Sequence, residues 1–242
     1  MPLTRLDHIA IALPRIALAP AALEAVLGGV PDKGGPSGVF RWATWTFAGG
    51  GTVEVLEPVG ADGFLHRFLA THGPGVHHVT FKVADLGEAC ERAAAAGYDV
   101  VGRDESDPSW KEAFLHPKQA LGIVVQLAES AVAAEPAGPS ASRASGLPGP
   151  PRPQRILGLR LRARSRSRAE TQWSTVLGGD LSELPDGGMV FRWPGSPMRL
   201  AVDVDPTTPE GPVALEVAAE RPIPSLDAAS DLLGIRLHQH SA

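Results

Sequence analysis

Apolar and polar residues alternate through several short stretches of the chain, and each stretch is bounded by glycine or proline, the pattern of half-buried strands. In Leu6–Leu13, residues Ile9, Ile11 and Leu13 point one way. His8, Ala10 and Ala12 point the other, because strand side chains alternate between faces, and the two alanines predict open space beside the imidazole. Gly75–Val83 repeats the pattern with His77, Val79, Phe81 and Val83 on a core face and His78, Thr80 and Lys82 on a polar one. Val39–Phe47 and Thr52–Leu56 predict a hairpin across Gly49-Gly50-Gly51, with Glu54 opposite Val53 and Val55. Further strands are predicted near Asp99–Arg103, Glu112–Leu115 and Gly122–Leu127; in the last, Gln126 lies opposite Ile123, Val125 and Leu127.

Helical spacing separates these strands. Pro20–Leu27 starts on proline and stops at Gly28-Gly29. Phe64, Leu65, Phe68 and Leu69 form a second apolar stripe. Leu86, Ala89, Cys90 and Ala93 form a third, opened by the capping-box pair Asp85 and Glu88 and closed by Gly97. The order is that of two β-α-β-β-β units within residues 1–130. Residues 131–153 are rich in Ala, Pro, Ser and Gly without periodicity and read as a linker.

Residues 154–242 then repeat the first half. Val26-Leu27-Gly28-Gly29 returns as Val176-Leu177-Gly178-Gly179 at an offset of 150, and Val39-Phe40-Arg41-Trp42 returns as Val190-Phe191-Arg192-Trp193 at an offset of 151. The copy is shortened. After Val213–Val217 only a helix over Leu226–Leu233 and a strand over Ile235–His238 are predicted, so the last strands of the fourth unit are expected to be missing. The predicted class is α+β: paired β-α-β-β-β modules in a curled mixed sheet, followed by a degenerate copy.

Composition narrows the function. The 242 residues carry a net charge of −5, which does not suggest nucleic-acid binding. The single cysteine, Cys90, excludes an intramolecular disulfide and fits a reducing compartment. No apolar run has the length of a signal peptide or membrane span, so a cytoplasmic protein is expected. Arg160, Arg162, Arg164, Arg166 and Arg168 read either as the charged face of an edge strand or as an anion-binding stripe. Trp42, Trp45 and Trp110 read as cleft lining or as core, and His77 as structural.

Asp7-His8-Ile9-Ala10-Ile11, Val53-Glu54-Val55-Leu56-Glu57-Pro58, Gly75-Val76-His77-His78-Val79-Thr80-Phe81, and His116-Pro117-Lys118 with Gly122–Leu127 together resemble the vicinal oxygen chelate superfamily, most closely its methylmalonyl-CoA epimerase and glyoxalase I groups. The resemblance covers about residues 5–130. It implies a cleft holding one divalent ion (Mg, Mn, Co, Ni, Zn or Fe), with His8, Glu54, His78 and Gln126 as ligands. It also implies an isomerase or lyase that stabilises an enolate of a small oxygen-chelating substrate. Relative to the epimerase pattern, Glu54 and Gln126 stand exchanged, and Val39–Phe47 lacks an acidic residue. Glu54 is then expected to be both ligand and catalytic base, with Glu112 or Asp104 as rivals, and His116 and Lys118 to meet the substrate. A ring-cleaving dioxygenase and a non-catalytic bleomycin-resistance-type binder are the alternatives. Mapped by the offsets, the ligand positions fall on Gly158, Val202 and Pro212, so residues 154–242 are expected to be a module without metal ligands, packing on the first half or supporting a homodimer contact.

Overall fold

The computed structural model describes residues 4–130, 155–185 and 187–241. The expected linker lies outside the described residues. In chain order the elements are β1 (Arg5–Ala12), a 3-10 turn (Ile16–Leu18), α1 (Ala19–Leu23), β2 (Val30–Ser37), β3 (Phe40–Thr46), β4 (Thr52–Pro58), α2 (Phe64–His72), β5 (Gly75–Lys82), α3 (Leu86–Ala95), β6 (Val100–Asp107), β7 (Trp110–Leu115) and β8 (Val124–Glu129). The second half gives β9 (Arg155–Ala163), α4 (Arg166–Glu170) running into a π-turn (Thr171–Val176), β10 (Asp180–Glu183), β11 (Met189–Arg192), β12 (Arg199–Val204), β13 (Gly211–Ala219), α5 (Leu226–Leu233) and β14 (Arg236–Ser241). Both sheets are mixed. The first is ordered β2-β3-β4-β1-β5-β8-β7-β6 and the second β10-β11-β12-β9-β13-β14.

Two compact units cut across the halves. One joins the start of β1 and the chain from His78 through β8 to the stretch Leu159–Val213; the other joins Ile9–His77 to the chain from Ala214 onward, with Ile156–Gly158. In the first unit Phe81 lies against Trp193 and Trp173, ring centroids 4.7 and 6.1 Å apart, and Tyr98 donates to the buried Gln172 at 3.3 Å. In the second unit α1 packs on α5 and the Ile156 amide donates to the Gly50 carbonyl at 3.1 Å.

The repeat is real at the level of single hydrogen bonds. The amides of Leu27, Gly28 and Gly29 donate to Ala22, Glu24 and Leu23; those of Leu177, Gly178 and Gly179 donate to Gln172, Ser174 and Trp173. Gly28 and Gly178 both need the left-handed region, at φ 70° and 69°, which glycine enters without steric cost. These wide turns also end the α-helical bonding of α1 at Leu23, four residues before the predicted Leu27.

Other expectations are corrected. β2 was not predicted: its residues VPDKGGPS are almost all exposed, and as the sheet edge it has no buried face to leave an alternating signature. The second sequence match is out of register. Thr46 pairs with Thr52, and Arg192 with Arg199, so Arg192 stands where Thr46 does and Val190–Trp193 corresponds to Thr44–Phe47, not to Val39–Trp42. The fourth unit does not lack its final strand either. β14 pairs in parallel with β13 as β8 does with β5, so β14 is the counterpart of β8, and the unit lacks the pair corresponding to β6 and β7. Finally β9 is an interior strand. Three of the five arginines of the stripe are held by carboxylates: Arg160 by Asp203 at 2.6 Å, Arg166 by Glu183 and Glu170 at 2.6 and 2.8 Å, and Arg168 by Glu210 at 3.0 Å.

Candidate metal centre

Three strands bring the donors together. His8 lies on β1, Glu54 on β4 and His78 on β5, and each offers one ligand atom within 4.8 Å of the others. The register that places Glu54 is explicit: β4 runs parallel to β1 with Glu54 opposite Ala10, and antiparallel to β3 with Glu54 opposite Thr44. Both partners are small. Beyond Ala10 the expected open space is filled, since Ala10 and Ala12 pack with Leu56 and Leu65, with Trp42 and Phe68 against them.

The imidazoles are buried, His8 and His78 at 6% exposure each, with ring centroids 6.0 Å apart. His8 Nδ1 is 3.0 Å from Asp7 Oδ2 and His8 Nε2 is 2.9 Å from Thr80 Oγ1. Burial works to raise the Asp7 carboxyl, but its hydrogen bond to His8 and the charges of His8, Arg5 and Lys82 outweigh that and hold it below the usual range. A carboxylate on one ring nitrogen fixes the tautomer and directs the other nitrogen toward a ligand.

Gln126 is tied to this group indirectly. Its Oε1 accepts from the Thr80 hydroxyl at 2.6 Å, and its Nε2 donates to Glu112 at 2.7 Å. Glu112 also accepts from Trp110 Nε1 at 2.8 Å, and Lys82 Nζ lies 3.3 Å over the Trp110 ring. Thr80, fully buried, was not singled out as a site residue; its place on the His78 face was the available signal. Asp104 is exposed and caps the Ser106 amide. His116 and Lys118 stand exposed in the turn before β8, and Lys118 borders a pocket of about 420 Å³ with Tyr98, Gln119 and Arg168 that none of the three donors lines. Trp45 is core, 3% exposed and bonded to Glu24. Cys90 is buried, which pushes its thiol up. His77 lies against Phe64 and Phe68, at 5.4 and 5.0 Å, and burial lowers it to about 4.

Two imidazoles and one carboxylate are a donor set for a borderline-to-hard divalent cation with open positions. The residues present therefore fit the ion that the sequence suggests.

Residues 7–114 match the family model of the glyoxalase/bleomycin resistance protein/dioxygenase superfamily. An ethylmalonyl-CoA/methylmalonyl-CoA epimerase from Cereibacter sphaeroides is 32% identical over 130 residues, covering 51% of this chain and 96% of that protein. The uncharacterised protein YqjC of Bacillus subtilis is 30% identical over 136 residues, covering 52% of this chain and 93% of that one. Among solved structures, a mutant 4-hydroxymandelate synthase from Streptomyces coelicolor is 14% identical with a TM-score of 0.63, covering 97% of this chain and 75% of its own; it speaks to fold alone and spans both halves. The strand order, the repeated modules and these likenesses agree: this chain belongs to the glyoxalase/bleomycin resistance protein/dioxygenase superfamily.

Proposed function

We propose that the protein is a metal-dependent isomerase that moves a proton at a carbon next to a carbonyl, with an acyl-CoA thioester as the substrate class. The observation that carries this is the His8, Glu54, His78 convergence within 4.8 Å. The name of the Cereibacter relative supports the substrate class. His8 and His78 would hold the ion through imidazole nitrogens, Glu54 through its carboxylate, and Gln126 would supply the fourth donor. A divalent ion there supplies Lewis acidity to a substrate carbonyl oxygen, which acidifies the adjacent C–H.

Glu54 would take that proton on its carboxylate; the isomer forms when a second acid, water or another side chain, protonates the opposite face of the enolate, and Glu54 then releases its proton to solvent. Glu112 is the weaker candidate because its carboxylate already accepts from Gln126 and Trp110. Asp7 keeps His8 in the ligating tautomer. His116 and Lys118 meet the anionic part of the substrate. In deuterium oxide the metal-loaded protein should incorporate deuterium at the α-carbon of methylmalonyl-CoA, and the chelated protein should not. No incorporation by protein carrying one equivalent of ion would defeat the proposal.

The same three donors also match a two-histidine, one-carboxylate iron centre, which sustains a ring-cleaving dioxygenase as the second reading. Oxygen uptake by the Fe(II)-loaded protein on catechols, without proton exchange on thioesters, would select it.

A further inference from the structure

The second sheet holds a donor group of its own. Glu216 on β13 and His238 and His240 on β14 each offer one ligand atom within 4.8 Å of the others. The strand register explains the meeting: in the parallel β13/β14 pair, Glu216 is opposite His238 and Ala218 is opposite His240. All four share one face, since positions two apart on a strand point the same way. His240 Nε2 is 3.2 Å from Glu216 Oε1, and the two imidazole rings lie 4.5 Å apart.

This group shares only one position with the first. Gly75 and Gly211 open β5 and β13 with φ of 159° and 135°, and packing pairs Gly75 with Gly234 and Gly211 with Gly122. That correspondence places Ala214 at the His78 position, Glu216 at Thr80, His238 at Gln126 and His240 at Ala128. The hairpin register places Ala201 at Glu54, and the offset of 150 places Gly158 at His8. None of Gly158, Ala201 and Ala214 has a donor side chain. The copy has lost three of the four donors of the first set and keeps one, as His238 at the Gln126 position; Glu216 and His240 are new, one pleat further along their strands than the His78 and Gln126 positions. Where the first half has a neutral Thr80–Gln126 hydrogen bond, the copy has a carboxylate and two imidazoles.

We infer that Glu216, His238 and His240 form a second divalent-cation site, with Zn²⁺ the best-matched ion. Glu216 is fully buried, and its carboxylate lies against the His240 ring nitrogen, so a donor oxygen and the imidazoles meet away from bulk water. Two imidazole nitrogens with one carboxylate oxygen suit zinc while leaving a position for water. His238 is exposed on the sheet-edge strand, so an ion reaches the group from solvent. The bound ion would fasten β14 to β13.

The test is Zn²⁺ titration of the full chain by calorimetry, with the histidine ring nitrogens followed by NMR. The wild type should take up two equivalents. His238→Ala, at an exposed position that leaves the core untouched, should lose one equivalent, a weakening of at least about 100-fold, the upper end for mere outer-shell partners. His8→Ala should keep the equivalent that His238→Ala loses. If those histidine variants fold poorly, the wild-type spectrum still decides: Zn²⁺ should shift the ring nitrogens of His238 and His240. A His238→Ala protein that binds as the wild type does, or unmoved His238 and His240 resonances at zinc saturation, would overturn the inference. Uptake of one equivalent that survives His8→Ala and is lost in His238→Ala supports it while defeating the first centre instead.

Discussion

The two halves share a backbone and differ in chemistry. The turn after the first helix is reproduced hydrogen bond for hydrogen bond at Gly28-Gly29 and Gly178-Gly179. Yet the first sheet gathers donors from β1, β4 and β5, whereas the second gathers them from β13 and β14 alone. Side chains at strand positions can be exchanged without altering the ladder, because the ladder is main-chain hydrogen bonding. Backbone similarity between copies is therefore weak guidance to where a copy keeps its chemistry, and the register has to be followed residue by residue.

The largest expected effect removes the base from the half that is proposed to act. Glu54→Gln keeps the shape and one oxygen donor, so the first site should still take up its ion. Deuterium exchange at the substrate carbon should fall by about 10²–10⁴-fold, the contribution of a positioned general base. Gln126→Glu should leave exchange within a few-fold of wild type. A Glu54→Gln protein that holds metal and exchanges normally would transfer the role to another group, with Glu112 the nearest alternative through Gln126.

Much of this was legible in the sequence because the signal is local. The alternation in Leu6–Leu13, Thr52–Leu56 and Gly75–Val83 put His8, Glu54 and His78 opposite apolar residues, and the structure brings those three together. The glycine pair marked the repeat because its conformational demand is strict. What was not legible depends on partners distant in sequence. β2 is an exposed edge with no apolar face. The arginines of β9 looked like edge protection because alternation does not reveal that Asp203 waits on the neighbouring strand. The second donor group was not legible because β14 does not announce itself in the sequence as the counterpart of β8, and Glu216 and His240 stand at the positions of Thr80 and Ala128, which are not ligands in the first half.

A second way to sharpen the comparison is acid. His77 is half-buried against Phe64 and Phe68 and partial burial lowers its pKa to about 4; the corresponding residue of β13 is Val213, which does not titrate. The unfolded chain binds the proton near pH 6.5 and the folded chain only near 4. The unfolded state therefore holds more protons in that window, and stability falls as pH drops from about 6.5 toward 4. The loss amounts to about 3 kcal/mol at most. His77→Val, which writes the copy's residue into the first half, should flatten this part of the stability profile in urea unfolding followed from pH 7 to pH 4. An unchanged acid limb would assign the sensitivity to other groups.

The smallest effect tests the shared backbone directly. A Cβ on Gly29 would lie 2.9 Å from both the Leu23 carbonyl oxygen and the Phe47 ring; on Gly179 it would lie 2.7 Å from the Trp173 carbonyl oxygen and 2.8 Å from the Trp193 ring. In each case one obstacle is backbone within the same turn and the other is the aromatic residue that ends the hairpin strand, so neither yields freely. Overpacking of this kind costs roughly 1–3 kcal/mol. Gly29→Ala and Gly179→Ala should each lower the urea midpoint, by amounts that agree within about 1 kcal/mol when converted with a common m-value. Agreement would mean that the repeated turn is equally rigid in both copies although the ligands around it have been replaced. A full penalty at Gly29 with none at Gly179 would mean that the copy has relaxed its backbone along with its chemistry, and that the shared hydrogen bonds of the turn overstate the likeness of the halves.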